Sequence, residues 1–333
     1  MKTMSKTPDE MPDNVTDRPL VTFALFAYNQ EEFIREAVEG AFAQTYVPLE
    51  IILSDDSSHD RTFQIMREMA AAYQGPHEVK VQKTAQNLGL GSHINIVAEI
   101  AEGEFVVLAA GDDISHPERV SVLTDAWLKS GRRMLAMQSG FRDLDKHSVV
   151  LKTNLHHSLP DEGWGYEFAQ YNLFIVGATG AYDIRVFRAF PPLDAYVVHE
   201  DRVLPYRALL LGGKVGSVNE CLVDYRRNVG ISASYRHTAQ KDATAFSRRA
   251  LSDNLQKLVD AQHADNRGEA LYLVDNIRRY GAELHAAQAP SNLATLVHLI
   301  RHAGLFWGLR AFAKTLFRNQ SRRTRSISSG EKR

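Results

Sequence analysis

The chain is poor in sulfur chemistry: among its 333 residues the one cysteine, Cys221, can form no internal disulfide. A lone thiol fits a reducing compartment better than secretion. Long apolar runs are missing as well, and without about eighteen consecutive apolar residues no membrane-spanning helix is expected. Neither sign of charge is in excess, since 39 Lys and Arg stand against 40 Asp and Glu for a formal net charge of -1. That balance gives no bulk attraction to nucleic acid, and no nucleic-acid partner is expected. Residues 1–18 are polar and read as a disordered leader, with no basic start and apolar stretch of the kind that makes a signal peptide or an anchor. There is also no Gly-x-Gly-x-x-Gly after the first strand and no Gly-Lys-Ser/Thr loop, so any nucleotide is held by something other than a glycine cradle.

What is present is an ordinary globular balance of 44% apolar and 24% charged residues, enough for one large core or two modest ones. Leu20–Ala27 is short and apolar, Glu31–Ala43 has helical spacing, Leu49–Leu53 is a second buried strand, and Asp60–Tyr73 is a helix opened by a capping aspartate. Val79–Gln82, Ser92–Ala101 and Phe105–Leu108 continue the alternation of strand and helix. The pattern predicts an α/β fold with a mostly parallel sheet, right-handed crossovers and helices on both faces. Ligands of such sheets bind beyond the carboxyl ends of the strands.

Two of these strands run straight into paired aspartates at that end: Leu49–Leu53 opens onto Ser54, Asp55 and Asp56, and Phe105–Leu108 reaches Gly111, Asp112 and Asp113. Tyr28 and Asn29 follow the first strand. Neighbouring carboxylates at a buried strand end repel each other and are costly to desolvate, so the arrangement calls for a cation or a hydrogen-bonding ligand. A divalent metal bridging diphosphate oxygens to one or two carboxylates is one such solution, and Asp112 and Asp113 could supply them. An Asp-Asp pair after a strand is by itself more often a turn or helix cap, which is the better reading of Asp60.

Taken together, Leu20–Asn29, Gln44-Thr45, Leu49–Thr62 (LEIILSDDSSHDRT), Asn87-Leu88-Gly89 and Ala101–Asp113 (AEGEFVVLAAGDD) resemble the nucleotide-sugar domain of glycosyltransferase family 2, the GT-A fold. The resemblance spans roughly residues 20–230. It implies an inverting enzyme that moves a sugar from a nucleoside diphosphate to a hydroxyl of a glycan or lipid-linked acceptor, with Mn2+ or Mg2+ as cofactor. Bacterial surface-polysaccharide assembly follows by analogy, with UDP or dTDP favoured over GDP as the donor nucleotide. By position, Ala27 and Tyr28 border the nucleobase, Asp56 hydrogen-bonds it, and Asn29, Asp55, Asn87 and Gly111 fall in the same nucleotide-sugar-binding segments. Asp112 lies where the family ligates its metal, with Asp113 beside it. Ala110 stands where many relatives have an aspartate, and Phe26 where they often have proline or threonine.

The resemblance further places the general base in His199-Glu200-Asp201, at Asp201 with Glu200 as the alternative. An inverting transfer needs a carboxylate near the acceptor hydroxyl, on the face of the sugar opposite the leaving diphosphate. The other reading of the two acids is that they complement a helix dipole. Val176–Tyr182 (VGATGAY) looks like the family's glycine-containing acceptor wall. In Asp224-Tyr225-Arg226-Arg227, Arg226 is positioned to neutralise the departing diphosphate, with Arg227 the alternative. His93, His116, His156, His157 and His237 have no metal spacing, and Trp164-Gly165-Tyr166 reads equally as an acceptor platform or a small core. A nucleotidyltransferase and a catalytically silent sugar-nucleotide or glycan-binding protein stay open as alternatives, the second because of Ala110.

The expected organisation is a catalytic domain over residues 19–235, divided into a nucleotide-sugar half (19–115) and an acceptor half (116–235). A helical C-terminal region (236–318) and a basic disordered tail (319–333) follow. Between His285 and Gly330 there is no acidic residue, while Arg301, Arg310, Lys314, Arg318, Arg322, Arg323 and Arg325 accumulate. A helix from Leu305 would place Leu305, Leu309, Phe312 and Leu316 on one face opposite Arg310, Lys314 and Arg318. Residues 305–325 therefore suggest a peripheral contact with an anionic membrane from the cytoplasmic side, against the simpler reading that this face packs on the domain.

Overall fold

A computed structural model of the chain describes residues 18–154, 174–230, 245–288 and 293–303, together with Leu309 and Ala311. The first third alternates as its apolar pattern predicts: β1 (Val21–Ala27), α1 (Ile34–Phe42), β2 (Leu49–Asp55), α2 (Thr62–Ala72), β3 (Glu78–Lys83), α3 (Leu90–Ile100) and β4 (Phe105–Ala110). These strands lie side by side in the order β3-β2-β1-β4, all parallel, with Val21 opposite both Leu49 and Phe105. Central parallel strands are covered on both faces and so read as unbroken apolar runs. In β1, Phe23 and Leu25 join one core with Ile34 and Val38 of α1, whereas Ala24 between them joins the other core with Ile94 and Val97 of α3. Glu50, buried within β2, is satisfied by Lys80, by Thr22 Oγ1 at 2.6 Å and by the backbone N–H of Glu102 at 3.0 Å.

The second third departs from a purely parallel plan. It comprises β5 (Ile114–Ser115), α4 (Arg119–Lys129), β6 (Met134–Leu144), β7 (Val150–Asn154), a 3-10 turn at Gly177–Thr179, β8 (Gly180–Asp183), α5 (Arg185–Arg188), α6 (Glu200–Leu210) and β9 (Lys214–Arg226). The sheet continues from β4 through β8, β6 and β9 to β5, with β8 antiparallel to both neighbours and β6 parallel to β9. The sequence pattern of a single strand does not encode its partner's direction, which is why the mixed half was not anticipated. Strand β9 is the longest of the sheet's described strands, at 13 residues. Its polar Asn219 and Glu220 sit where the register against β6 jumps from Ser139↔Val218 to Gly140↔Cys221, a bulge after which pairing resumes.

The helical region expected after residue 236 contains α7 (Ala245–His263), α8 (Arg267–Gln288) and α9 (Leu293–Ala303). Helix α7 is clamped to α6 by a bidentate pair inside the protein: Arg207 Nε donates to Asp260 Oδ2 at 2.8 Å and Arg207 Nη2 to Asp260 Oδ1 at 3.0 Å. Both side chains are sealed from solvent, and Gln256 Nε2 adds a third donor to Asp260 at 3.0 Å. Removing one partner of such a pair strands the other's charge in a low-dielectric site. Asp260→Ala is therefore expected to lower unfolding stability in urea by about 3–5 kcal/mol, and the apolar double variant Arg207→Met/Asp260→Leu to recover most of that loss. The amphipathic segment predicted from Leu305, the Trp164-Gly165-Tyr166 platform, His156, His157, His237, the leader and the basic tail lie outside the described residues, apart from Arg18, Leu309 and Ala311.

Candidate active site

The crevice beyond the carboxyl ends of β1, β2 and β4 has a tightly fastened rim. Asp56 N–H donates to Ala27 O at 2.9 Å and Gly111 N–H to Phe26 O at 2.8 Å, so the loops after β2 and β4 both anchor to the end of β1. Asn29 adopts a left-handed φ of 51°, which asparagine tolerates better than most residues. Its own N–H donates to Ser58 Oγ at 2.8 Å and its side-chain oxygen accepts from His59 N–H at 2.9 Å, joining the β1 loop to the β2 loop. Tyr28, partly exposed at the same rim, donates its N–H to Gln30 Oε1 at 3.3 Å.

The two aspartates after β2 diverge. Asp55 is fully buried, with Oδ1 accepting from Ser58 N–H at 2.9 Å, Oδ2 bonded to the Ser58 hydroxyl, and Lys83 Nζ 3.7 Å from Oδ1. These bonds make its carboxylate the brace of the turn that follows β2. Asp56 fastens the following segment, accepting from Thr84 Oγ1 at 3.0 Å and Leu88 N–H at 2.9 Å through Oδ1, and from Gly89 N–H at 3.0 Å through Oδ2. Asn87 is exposed on that segment, its side-chain oxygen 3.2 Å from the same Gly89 N–H. Asp60 caps as expected, accepting from Thr62 N–H at 2.9 Å and Glu31 N–H at 3.1 Å.

After β4 the pair Asp112 and Asp113 also divides. Asp113 Oδ1 accepts the N–H of Arg226 at 2.8 Å, and burial together with the adjacent Asp112 carboxylate pushes Asp113 well above the usual range. Through this one oxygen it anchors the end of β9. Arg226, expected beside the departing diphosphate, is itself a buried residue. Its guanidinium is buried behind the rim, donating to Asp112 O at 3.0 Å, Ser148 Oγ at 3.0 Å and Glu36 Oε2 at 3.2 Å, and lying 4.6 Å from the Phe33 ring centre. Arg227, the alternative, is paired with Asp143 at 2.6 and 3.1 Å. A Tyr-Arg-Arg string on an alternating strand reveals its charge but not which acids on neighbouring elements claim it.

Asp112 itself accepts a side-chain hydrogen bond from Gln30, and burial pushes its carboxyl upward against the pull of Arg226. Glycines crowd it on two sides. A Cβ on Gly111 would meet Gln30 Oε1 at 2.5 Å, and one on Gly230, at φ +64°, would come within 2.0 Å of Asp112 Oδ2. Among the described residues no group of three or more His, Cys, Asp or Glu is gathered for a metal. The donor set thus suits a divalent ion held by one carboxylate and completed by diphosphate oxygens and water, and does not suit an all-protein cage. Gly230→Ala is expected to raise the apparent half-saturating Mn2+ concentration by about 10-fold or more, because it combines a strained φ with displacement of that carboxylate.

The start of α6 lies against the segment that leads into β8. Arg119, buried on α4, donates through Nη2 both to Leu108 O of β4 at 2.7 Å and to Ala178 O of the 3-10 turn at 2.8 Å. On the other side of the turn, a Cβ on Gly177 would lie 2.3 Å from Glu200 Oε1, and Ile175 N–H donates to Asp201 O at 3.1 Å. The VGATGAY segment thus touches Arg119 through Ala178 and the acidic pair through Gly177. Burial raises Asp201 to about 6, against the attraction of His199 and Arg202. Burial and the neighbouring Asp201 drive Glu200 well above the usual range, so the two acids resist carrying charge together. Asp201 Oδ1 is buried with no hydrogen-bond partner, as a base awaiting a donor would be.

Sequence reasoning missed Gln30, Arg119 and Gly230. Gln30 adjoins Tyr28-Asn29 and could have been found by proximity, but a lone arginine on a helix and a glycine just past a strand carry no local signal.

With this geometry in view, comparison with known proteins is direct: residues 22–188 match glycosyl transferase family 2, and the chain belongs to that family. An uncharacterised protein of Mycobacterium bovis is 28% identical over 254 residues, covering 74% of this chain and 69% of that one. The fold is similar to that of Staphylococcus aureus TarS 1-349 in complex with UDP-GlcNAc, with a TM-score of 0.56 at 16% identity over 90% of this chain and 92% of that one. It is also similar to the mannosyltransferase PcManGT of Pyrobaculum calidifontis in complex with GDP-Man and Mn2+, with a TM-score of 0.52 at 17% identity over 93% and 91% of the two chains. The chain is thus a GT-A-type glycosyltransferase.

Proposed function

We propose that the protein is an inverting glycosyltransferase that passes a sugar from a nucleoside diphosphate to a hydroxyl of a glycan or lipid-linked acceptor. The observation that supports this reading is that Arg119 bonds both Leu108 O of β4, the strand that leads to Asp112, and Ala178 O of the turn whose Gly177 abuts Glu200 beside Asp201. The nucleoside would rest between Tyr28 and the Asp56-fastened segment, and Asp112 would hold a divalent ion, Mn2+ or Mg2+, whose charge would offset that of the departing diphosphate. Asp201 would take the acceptor proton on the far side of the sugar, for about 10²–10⁴-fold in rate. UDP or dTDP donors, a role in bacterial surface-polysaccharide assembly and a cytoplasmic site of action belong to the same proposal. No helix among the described residues is long and apolar enough to cross a membrane, and the proposed membrane contact rests on the basic composition of residues 305–325.

Donor hydrolysis with Mn2+ or Mg2+ tests the reading: metal-dependent release of nucleoside diphosphate is expected, and its complete absence with every donor would leave a binding module. A thermal-shift series over nucleoside diphosphates with and without Mn2+ names the base, since ligands of the folded state raise its melting temperature. The pH dependence has a definite sign. A general base works ionised, and with the Asp201 carboxyl at about 6 the kcat/KM for transfer is expected to rise with pH through about 6 and then level off. Deletion of residues 305–333 is expected to move the protein from membrane to soluble fractions, and an unchanged partition would reject the membrane contact.

A further inference from the structure

The helical region does more than pack against the catalytic domain, because α7 reaches the acidic pair. His199 is the residue before the first turn of α6, and its Nδ1 lies 2.6 Å from Oδ2 of Asp253, an aspartate of α7 whose side chain is 3% exposed. The other Asp253 oxygen, Oδ1, is buried with no hydrogen-bond partner, as is Asp201 Oδ1. One turn further along α7, Lys257 places its Nζ 5.5 Å from the Tyr206 ring of α6. The Arg207–Asp260 clamp described above fixes this helix pair, so Asp253 is delivered to His199 by a rigid contact.

We propose that His199, held by Asp253, is a positioning residue of the catalytic centre, orienting the head of α6 and setting the electrostatic surroundings of Asp201. The inference rests on Asp201 as the base. A ring nitrogen bonded to a carboxylate carries a proton, and the carboxylate sets the ring's orientation, as in other dyads of this kind. The charged and titratable groups facing Asp201 are His199, Glu200 and Arg202 from its own helix, Tyr182 from β8, and Asp253 and Lys257 from α7; Glu269 of α8 faces Lys257 and Tyr206. Among them His199 contributes the largest attraction that keeps Asp201 ionised. Removing the imidazole therefore shifts the balance toward the protonated acid, which cannot accept a proton from the acceptor.

The experiment compares His199→Gln, Asp253→Ala and the double variant with the full-length native protein, using a donor and acceptor that the native protein turns over. His199→Gln is expected to lower kcat about 10-fold near pH 6 and less at pH 8, to move the acid limb of the kcat/KM profile upward by roughly 0.5–1 pH unit, and to leave donor KM within about 2-fold. Because the two residues act as a unit, the double variant should lose no more than the worse single one. Should His199→Gln fail to fold, as judged by thermal unfolding, His199→Asn takes its place. An unshifted acid limb, or losses that multiply in the double variant, overturns the proposal. Its failure is separable from that of the base assignment: an inactive Asp201→Asn with an unshifted His199→Gln profile rejects only the positioning role, whereas an active Asp201→Asn rejects the base.

Discussion

Asp201→Asn is expected to reduce transfer by about 10²–10⁴-fold while leaving donor KM within a few-fold, since the residue acts on the acceptor proton and not on the nucleotide. The same substitution is expected to make the protein more stable at neutral pH. A carboxyl whose folded value is raised from 3.8 to about 6 is ionised more easily when unfolded, so stability falls as pH rises between those values. Replacing it with a neutral isostere relieves a penalty of order 1–3 kcal/mol above about pH 6, seen as a higher melting temperature. Loss of activity with a gain in stability is the signature of a site residue that the fold tolerates rather than needs. Loss of both would assign Asp201 a structural role. Glu200→Gln provides the contrast: burial and Asp201 push the glutamate toward its protonated form, so transfer should fall far less than for Asp201→Asn.

Asp112→Asn is expected to cost at least about 10²-fold in kcat/KM and to abolish stimulation by Mn2+, because it removes the carboxylate at the β4 rim proposed to hold a hard divalent ion. Asp113→Asn should separate from it clearly. Asp113 accepts the N–H of Arg226 from within the protein, so its substitution should appear as a lower melting temperature, with metal dependence kept. Measuring both variants across a Mn2+ titration distinguishes a ligand from a neighbour. Equal loss of metal response in the two would mean that the carboxylates share the ion.

The nucleotide-sugar half of the fold was legible because its information is local. Unbroken apolar strands such as Leu49–Leu53, spaced helices between them, and acids at the strand ends give the parallel sheet and its rim. Which carboxylate of each pair faces the crevice was not legible. Asp55 and Asp113 are each engaged by a donor that the strand pattern does not reveal, Ser58 in one case and the Arg226 backbone in the other. Arg226 shows the same effect from the basic side, since Glu36 lies 190 residues away along the chain. The acceptor half was harder for a related reason. The direction of β8 and the bulge in β9 are properties of strand pairs, and no single strand carries them. The contribution of α7 to the acidic pair is likewise a matter of tertiary contact: Asp253 and Asp260 read as ordinary surface acids of an amphipathic helix.

The central claim is that the diphosphate leaves from the Asp112 side of the sugar while the acceptor hydroxyl attacks from the Asp201 side. The anomeric configuration of the product, read by NMR coupling constants on the newly transferred sugar, tests this most directly. An anomeric centre inverted relative to the donor is the predicted result, and a retained configuration would contradict it.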